Sequence, residues 1–164
     1  MKLETPRETC RTTRWHQCAA AVLVILAFSL PSFGELGGYA DSVEADRAKM
    51  KASTKVTENK SYAVHEITTP AKIVVREYVG PDGRVFGVAW RGPFLPDLSQ
   101  IFGSYFQQYA NAVRAEHRSY GGRRPVNIQQ PGLVVQGGGH MLGHFGRAYV
   151  PTMLPEGVTS NEIR

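Results

Sequence analysis

His140 and His144 are the residues whose type and spacing first suggest a metal site. Two imidazoles that share a zinc ion bring their nitrogens within about 4 Å of each other. In a β-strand, residues four apart share a face but lie roughly 13 Å apart, because a strand rises about 3.3 Å per residue. A shared ion therefore requires a bend at Gly143 or helical geometry. Without either, His140 and His144 are metal candidates that a strand would keep apart.

Serine and carboxylate chemistry have little support in the sequence. No serine lies in a G-x-S-x-G elbow, which disfavours a serine hydrolase. Asp97 could join the two histidines in a small hydrolytic or metal-dependent site, but its place before an amphipathic segment also predicts a helix N-cap. Gly137 to Gly139 lack the lysine of a phosphate-binding loop and predict a hairpin turn. We therefore predict no catalytic residue and no cofactor, and keep an enzyme built on His140, His144 and Asp97 as the alternative.

Two other groups of residues suggest a surface for a partner. One is an arginine cluster at the end of a predicted helix, where cations also complement the negative end of the helix dipole. The other is a segment in which a tryptophan and a phenylalanine lie among Gly and Pro residues. This segment can bind a partner only if it does not pack over the predicted helix. The candidate partner-binding residues are Trp90, Arg91, Phe94, Arg114, Arg118, Arg123 and Arg124.

Residues 1–34 have the pattern of a secretory signal peptide. Four basic residues precede the apolar run Ala19 to Leu30, and the small residues Ser32 and Gly34 follow it. Twelve helical residues span about 18 Å, which is short of the roughly 30 Å hydrocarbon core of a bilayer. We expect cleavage after Gly34, export to the periplasm or the outside, and no stable membrane anchor afterwards.

Loss of this leader changes the composition of a chain of 164 residues. Both cysteines, Cys10 and Cys18, leave with it, so the mature protein can form no disulfide and offers no thiolate. The formal charge falls from +5 to +3, which is too small to indicate nucleic acid or an anionic membrane as a partner. The hydrophobic fraction of 42% excludes a wholly disordered chain.

The mature chain begins with a polar segment and continues with strands. Residues 35–60 have few large apolar side chains and predict a flexible polar arm. Period-two patterns predict strands over Tyr62 to Thr68, Ile73 to Val79 and Arg84 to Trp90, with a turn at Pro81-Asp82-Gly83. The alternation in the third strand predicts that Phe86, Val88 and Trp90 share one face.

An amphipathic helix and further strands complete the predicted domain. The helix runs from about Leu98 to His117 and has a single apolar stripe, which must face the sheet. A short extended piece at Val126 to Ile128 and strands over Leu133 to Gln136 and Met141 to Val150 follow. We predict an α+β domain over residues 61–150, in which one antiparallel sheet in the order β-β-β-α-β-β carries one helix on one face, and an extended C-terminal tail over residues 151–164.

Several short motifs resemble a family of exported bacterial proteins described as domain of unknown function 2844. The resemblance covers nearly the whole mature chain and implies export to a Gram-negative periplasm. It brings no established activity, cofactor or catalytic residue. The motifs are Leu36-Gly37-Gly38, Val75 to Val79, Gly83 to Trp90, Gly92 to Leu98, Gly138-Gly139-His140-Met141 and Gly146 to Tyr149.

These observations favour a non-enzymatic exported protein that binds another component of the cell envelope. The polar arm and the sheet edges are the expected contact surfaces. Besides the small enzyme described above, a self-associating structural protein with an unpaired edge strand is a further alternative. The sequence predicts neither the oligomeric state nor the identity of the partner.

Overall fold

The computed structural model describes residues 35–40, 53–120, 125–141 and 143–164, without the side chains of residues 119 and 120. The predicted leader, residues 1–34, and two of the candidate arginines, Arg123 and Arg124, lie outside the described residues. The strands are β1 (Ser53–Glu58), β2 (Ala63–Thr68), β3 (Val74–Val79), β4 (Val85–Gly92), β5 (Val126–Gln130), β6 (Leu133–His140) and β7 (Gly143–Tyr149). The helices are α1 (Leu98–Phe102) and α2 (Phe106–Tyr120), joined by a 3-10 turn over Gly103–Tyr105.

The seven strands form one sheet in the order β1-β2-β3-β4-β7-β6-β5, and all neighbours are antiparallel. Strands β1 to β4 form one meander and β5 to β7 form another, so that β7, the last strand in sequence, pairs with β4 at the centre. The helical segment connects the two meanders. The predicted fold class, an antiparallel sheet with helix on one face, is confirmed, and no helix in the described part of the chain is long and apolar enough to cross a membrane.

One face of the sheet, the helix face, packs against α1 and α2. The predicted apolar stripe does face the sheet: Leu98 and Phe102 are buried, and Tyr109 packs on them. The ring of Phe102 lies between Trp90 and Tyr109, with centroid distances of 5.8 and 4.9 Å and edge-on geometry. Burial of such large side chains supplies most of the stability of a domain without disulfides.

The helical segment begins where the sequence predicts and then bends. Asp97 is the N-cap of α1, and its side chain accepts a hydrogen bond of 2.9 Å from the backbone N–H of Ser99. The helix does not continue through Gly103, which has a φ of 48°. A Cβ at this position would overlap the side chain of Glu35. Gly103 therefore allows the segment around Glu35 to approach the helix, and a 3-10 turn replaces the predicted regular helix.

The opposite face, the tail face, is covered in part by the last residues of the chain. Tyr78, Phe86, Ala89 and Ile163 form its buried cluster. Ile163 is fully buried against Gly87, where an added Cβ would lie 2.7 Å from its terminal methyl carbon. The predicted extended tail is thus a packed segment that includes two 3-10 turns, Pro151–Met153 and Ser160–Glu162.

The predicted polar arm over residues 35–60 is wrong at both of its ends. Leu36 is fully buried, and its backbone N–H donates a 3.0 Å hydrogen bond to the carbonyl of Ile101. Ser53–Glu58 pairs with β2 along its whole length. Its side chains are nearly all exposed because it is an edge strand. Backbone hydrogen bonds hold the pairing, so the strand has no hydrophobic pattern from which it could be predicted. Residues 41–52 lie outside the described residues.

Two further expectations are corrected by strand pairing. Gly137 to Gly139 do not form a hairpin turn but continue β6 as far as His140, and they pair with β7. In β4, Phe86 lies on the tail face while Val88 and Trp90 lie on the helix face. The register shifts between Tyr78 and Val79, so β4 carries one extra residue there and the alternation of faces changes sign.

Candidate functional site

A groove lies on the tail face beside the packed tail. Two cross-strand rows form its floor. Arg76, Ala89 and Arg147 lie opposite one another on β3, β4 and β7. Val74, Arg91 and Phe145 form the next row. The groove has a volume of about 710 Å³, and we call it the arginine groove.

The charged side chains that line this groove are of one sign. Its lining includes four arginines, Arg76, Arg91, Arg147 and Arg164, and no acidic side chain among the described residues. Arg76 is paired outside the groove, where its Nε lies 2.7 Å from a carboxylate oxygen of Glu66. A lining with this composition attracts anions and repels cations.

Arg147 is half-buried and is held in place by neutral acceptors. Its Nε and Nη2 donate to the side-chain oxygen of Gln136 at 2.9 and 2.7 Å. Its Nη1 donates to the backbone carbonyls of Ser160 and Ile163 at 2.7 and 3.3 Å. These contacts orient the guanidinium but add no negative charge. None of these contacts is a carboxylate, so none of them offsets the positive charge that Arg147 contributes to the groove.

The end of the chain forms one wall of the groove. The carbonyl oxygen of Arg164 accepts hydrogen bonds of 2.8 Å from both Nη1 of Arg76 and the hydroxyl of Tyr78. The backbone N–H of Arg164 donates to the same hydroxyl at 2.9 Å. This wall is fixed by three hydrogen bonds in addition to the buried Ile163, so the groove is formed before any ligand binds.

One end of the sheet exposes large apolar side chains. Gly92 pairs with His144, and His140 pairs with Gly143, so the loop that follows β4 leaves the sheet beside the tip of the β6–β7 hairpin. Four side chains on these segments are more than half exposed, and we call them the apolar end: Phe94 (64%), Leu95 (53%), Met141 (96%) and Phe145 (54%).

The candidate partner-binding residues separate into different environments. Arg91 and Phe94 are exposed, at the groove and at the apolar end respectively. Trp90 is only 5% exposed and packs in the core, so it is not available as a partner contact. Arg114 and Arg118 are exposed on α2, and Nε of Arg114 donates to the carbonyl of Ala110 one turn earlier, as expected for a solvated helix end.

The alternative site of two histidines and an aspartate is not assembled. His140 and His144 lie on neighbouring strands, and the alternation of β6 and β7 directs them to opposite faces of the sheet. Both line a shallow depression at the sheet end with Arg91, whereas Asp97 lines neither this depression nor the arginine groove. The hydrogen bonds to Ser99 lower the pKa of Asp97, which is consistent with a capping carboxylate. No cluster of three or more metal-ligating side chains occurs among the described residues.

Glu77 is a buried acidic side chain on β3. It is 4% exposed on the helix face of β3, and its Oε2 has no hydrogen-bond partner. Burial raises the pKa of this carboxyl to about 8. His65 lies directly opposite on β2, and Val88 lies opposite on β4. Glu77 lines neither the groove nor the depression, so it is a feature of the core and not of this site.

Of the four groove arginines, only Arg91 is among the candidate partner-binding residues suggested by the sequence. Arg76 and Arg164 are 88 residues apart and meet only because the tail returns to β3. The available signal was weak: Phe145 and Arg147 alternate with small residues, which indicates a strand face but not its neighbours. The groove residues come together because of the order of the strands in the sheet, which a sequence pattern does not predict.

Comparison with known proteins places this fold in a family. Residues 32–163 match the model of a family described as protein of unknown function (DUF2844). The chain belongs to this family. The DUF2844 match confirms the resemblance seen in the sequence motifs, and the helix face, the arginine groove and the apolar end all lie within the matched residues, apart from the terminal Arg164. No curated protein and no solved structure matches the chain.

Proposed function

We propose that this DUF2844 protein is exported and acts in the cell envelope as a binding module, not as an enzyme, with the apolar end as its contact surface for a protein partner. The observation that carries the proposal is that Phe94, Leu95, Met141 and Phe145 are all more than half exposed at one end of the sheet. Gathered apolar side chains of this kind mark interaction sites, whereas isolated ones do not.

The composition of the apolar end favours a protein as the partner. The centres of protein interfaces are enriched in aromatic residues, methionine and arginine. Here two phenylalanines and a methionine are exposed, and the exposed Arg91 lies opposite Phe145 at the end of β4. Backbone pairing of Gly92 with His144 brings the two contributing segments to the same end of the sheet.

Site-directed photocrosslinking in the native host tests this contact. A photoreactive phenylalanine analogue replaces Phe94, and in the control it replaces Gln107, which is exposed on α2. We expect a crosslinked protein from position 94 and none from position 107. The purified partner should then bind the chain, and Phe94→Ser should weaken the affinity by about tenfold or more, as for an interface anchor.

Other outcomes of the crosslinking experiment have definite meanings. Crosslinks to lipid alone, or the same products from both positions, would contradict a protein contact at the apolar end. Crosslinks to a second copy of the chain, together with a dimer in light scattering, would instead support the self-associating protein considered above.

Export is tested separately by mass spectrometry of the protein purified from host cells. We expect a mature N-terminus close to Glu35 on envelope or extracellular material, because the pattern of residues 1–34 is that of a leader. An intact N-terminus on cytosolic protein would refute export while leaving the partner contact open to the crosslinking test.

A further inference from the structure

We infer that the arginine groove binds a small organic anion, a carboxylate, sulfonate or phosphate monoester that carries a planar or apolar group. The groove shares Arg91 and Phe145 with the apolar end. The two proposals concern different ligands and are tested by different experiments, so either can fail while the other stands. The volume of about 710 Å³ lies within the roughly 300 to 1,000 Å³ that small-molecule sites occupy.

The charges of the groove select an anion. Arg147 holds a half-buried guanidinium against neutral oxygens only, among the contacts described above. Arg91 and Arg164 add exposed guanidinium groups at the mouth, and no acidic side chain of the described residues lines the groove. Electrostatic interactions are stronger in such a partly desolvated site than in open water. A carboxylate or phosphate would offset the charge, and arginine can bind it through two parallel hydrogen bonds.

The apolar part of the lining selects an organic group. Val74, Ala89 and Ile163 line the groove between the arginines. The ring of Phe145 lies over Gly138, where an added Cβ would be 3.3 Å from the ring, and more than half of the Phe145 side chain stays accessible. A planar group can stack on this ring. Burying its apolar surface adds binding free energy that a bare inorganic ion, which has no such surface, does not gain.

The shape of the groove is fixed by the fold. Gly138 carries no side chain to fill the space in front of Phe145, and Ala89 leaves a gap between Arg76 and Arg147. Hydrogen bonds of 2.8 Å from Arg76 and Tyr78 hold the wall at Arg164. A preformed site loses little conformational entropy when its ligand binds.

Two dyes that differ mainly in one charged group test this inference. Anilinonaphthalene sulfonate is a planar anion, and phenylnaphthylamine is its neutral counterpart. Their affinities are measured by calorimetry on the unmodified chain, on Arg91→Gln and on the control Lys72→Gln, in which an exposed cation outside the groove is removed. We expect the anionic dye to bind about tenfold more weakly to Arg91→Gln, with no change in Lys72→Gln, and the neutral dye to be insensitive to both changes.

The remaining variants decide where the dye binds. In Phe145→Ser, both dyes should lose affinity, because both stack on the ring. Equal affinity of the anionic dye for the unmodified chain and Arg91→Gln would overturn the inference. So would a loss of the anionic dye in Phe94→Ser with none in Arg91→Gln, because the dye would then lie on the apolar end. Either result leaves the crosslinking test of the partner contact unaffected.

Discussion

The two faces of the sheet are closed in different ways. Among the described residues, fourteen buried side chains on the helix face form one cluster that runs from Leu36 through both meanders to Val150. The corresponding cluster on the tail face has four buried members in the same part of the chain, and the arginine groove lies beside it. The difference separates two tasks within one sheet. One face supplies the apolar burial that a domain without disulfides needs, and the other carries a groove lined by polar side chains.

The first prediction concerns the large side chains at the centre of each face. Phe102→Ala removes a fully buried ring that contacts Trp90 and Tyr109, and it should lower the free energy of unfolding by about 3 to 5 kcal/mol. Ile163→Ala on the tail face removes a smaller side chain next to a shorter cluster and should cost about 2 to 3 kcal/mol. Urea unfolding measures both. A larger loss for Ile163→Ala would reverse the comparison between the faces.

The second prediction concerns Glu77, the acidic residue buried on the helix face. Because burial raises its pKa to about 8, the folded chain keeps a proton that the unfolded chain releases above its ordinary pKa near 4.5. The free energy of unfolding should therefore fall by up to about 1.4 kcal/mol per pH unit between these two values, and not change further from this source above pH 8.

Glu77→Gln is the matched variant for this prediction, since the amide is similar in size and cannot ionise. It should remove this part of the pH dependence, and its advantage over the unmodified chain should grow from pH 5 to pH 8 in urea unfolding experiments, by about 1.4 kcal/mol per unit at most. Parallel pH profiles for the two proteins would show that Glu77 ionises normally. His65→Gln separates the contribution of the residue that lies opposite on β2.

The third prediction compares two glycines that lie on opposite faces of the β6–β7 hairpin. A Cβ at Gly146 would lie 2.7 Å from a ring carbon of the buried Trp90, so Gly146→Ala should cost about 1 to 3 kcal/mol through overpacking. Gly138→Ala meets the exposed ring of Phe145 at 3.3 Å, which can move away, and should change the stability by less than about 1 kcal/mol. Thermal unfolding distinguishes them, and equal losses would show that both faces are equally rigid.

The last prediction concerns the start of α1. Asp97→Ala removes the N-cap, in which the carboxylate accepts from the backbone N–H of Ser99, and should lower the free energy of unfolding by about 1 kcal/mol. Asp97→Asn keeps the cap and serves as the control. Because the hydrogen bonds lower the pKa of Asp97, the loss in Asp97→Ala should shrink as the pH falls through that pKa and the cap is protonated in the unmodified chain.

The parts of the fold that follow from the sequence are those whose signals are local. The strand pair around Pro81-Asp82-Gly83 has β-branched alternation and a turn of three suitable residues. The helix start has a capping aspartate and an apolar stripe. In each case the side chains that determine the element are close together in sequence, within about two helical turns or two strand lengths. The pattern therefore predicts the element correctly.

The parts that were missed depend on neighbours that are distant in sequence. Gly137 to Gly139 have low intrinsic preference for a strand, yet they form one because Trp90 and Phe145 cover Gly137 and Gly138. Strand β1 is polar and exists through its backbone pairing with β2. The same cause hides the groove, since its arginines come from β3, β4, β7 and the tail and share no local motif.

The place of β7 also affects the order in which the chain can fold. Its residues, Gly143–Tyr149, are the last of the seven strands in sequence, but they lie between β4 and β6. Until they have been synthesised, β4 and β6 each keep an open edge, and neither meander can join the other. Folding therefore waits for contacts between residues far apart in sequence, which makes it slow. The two meanders of a nascent chain therefore cannot join until most of the chain has left the ribosome.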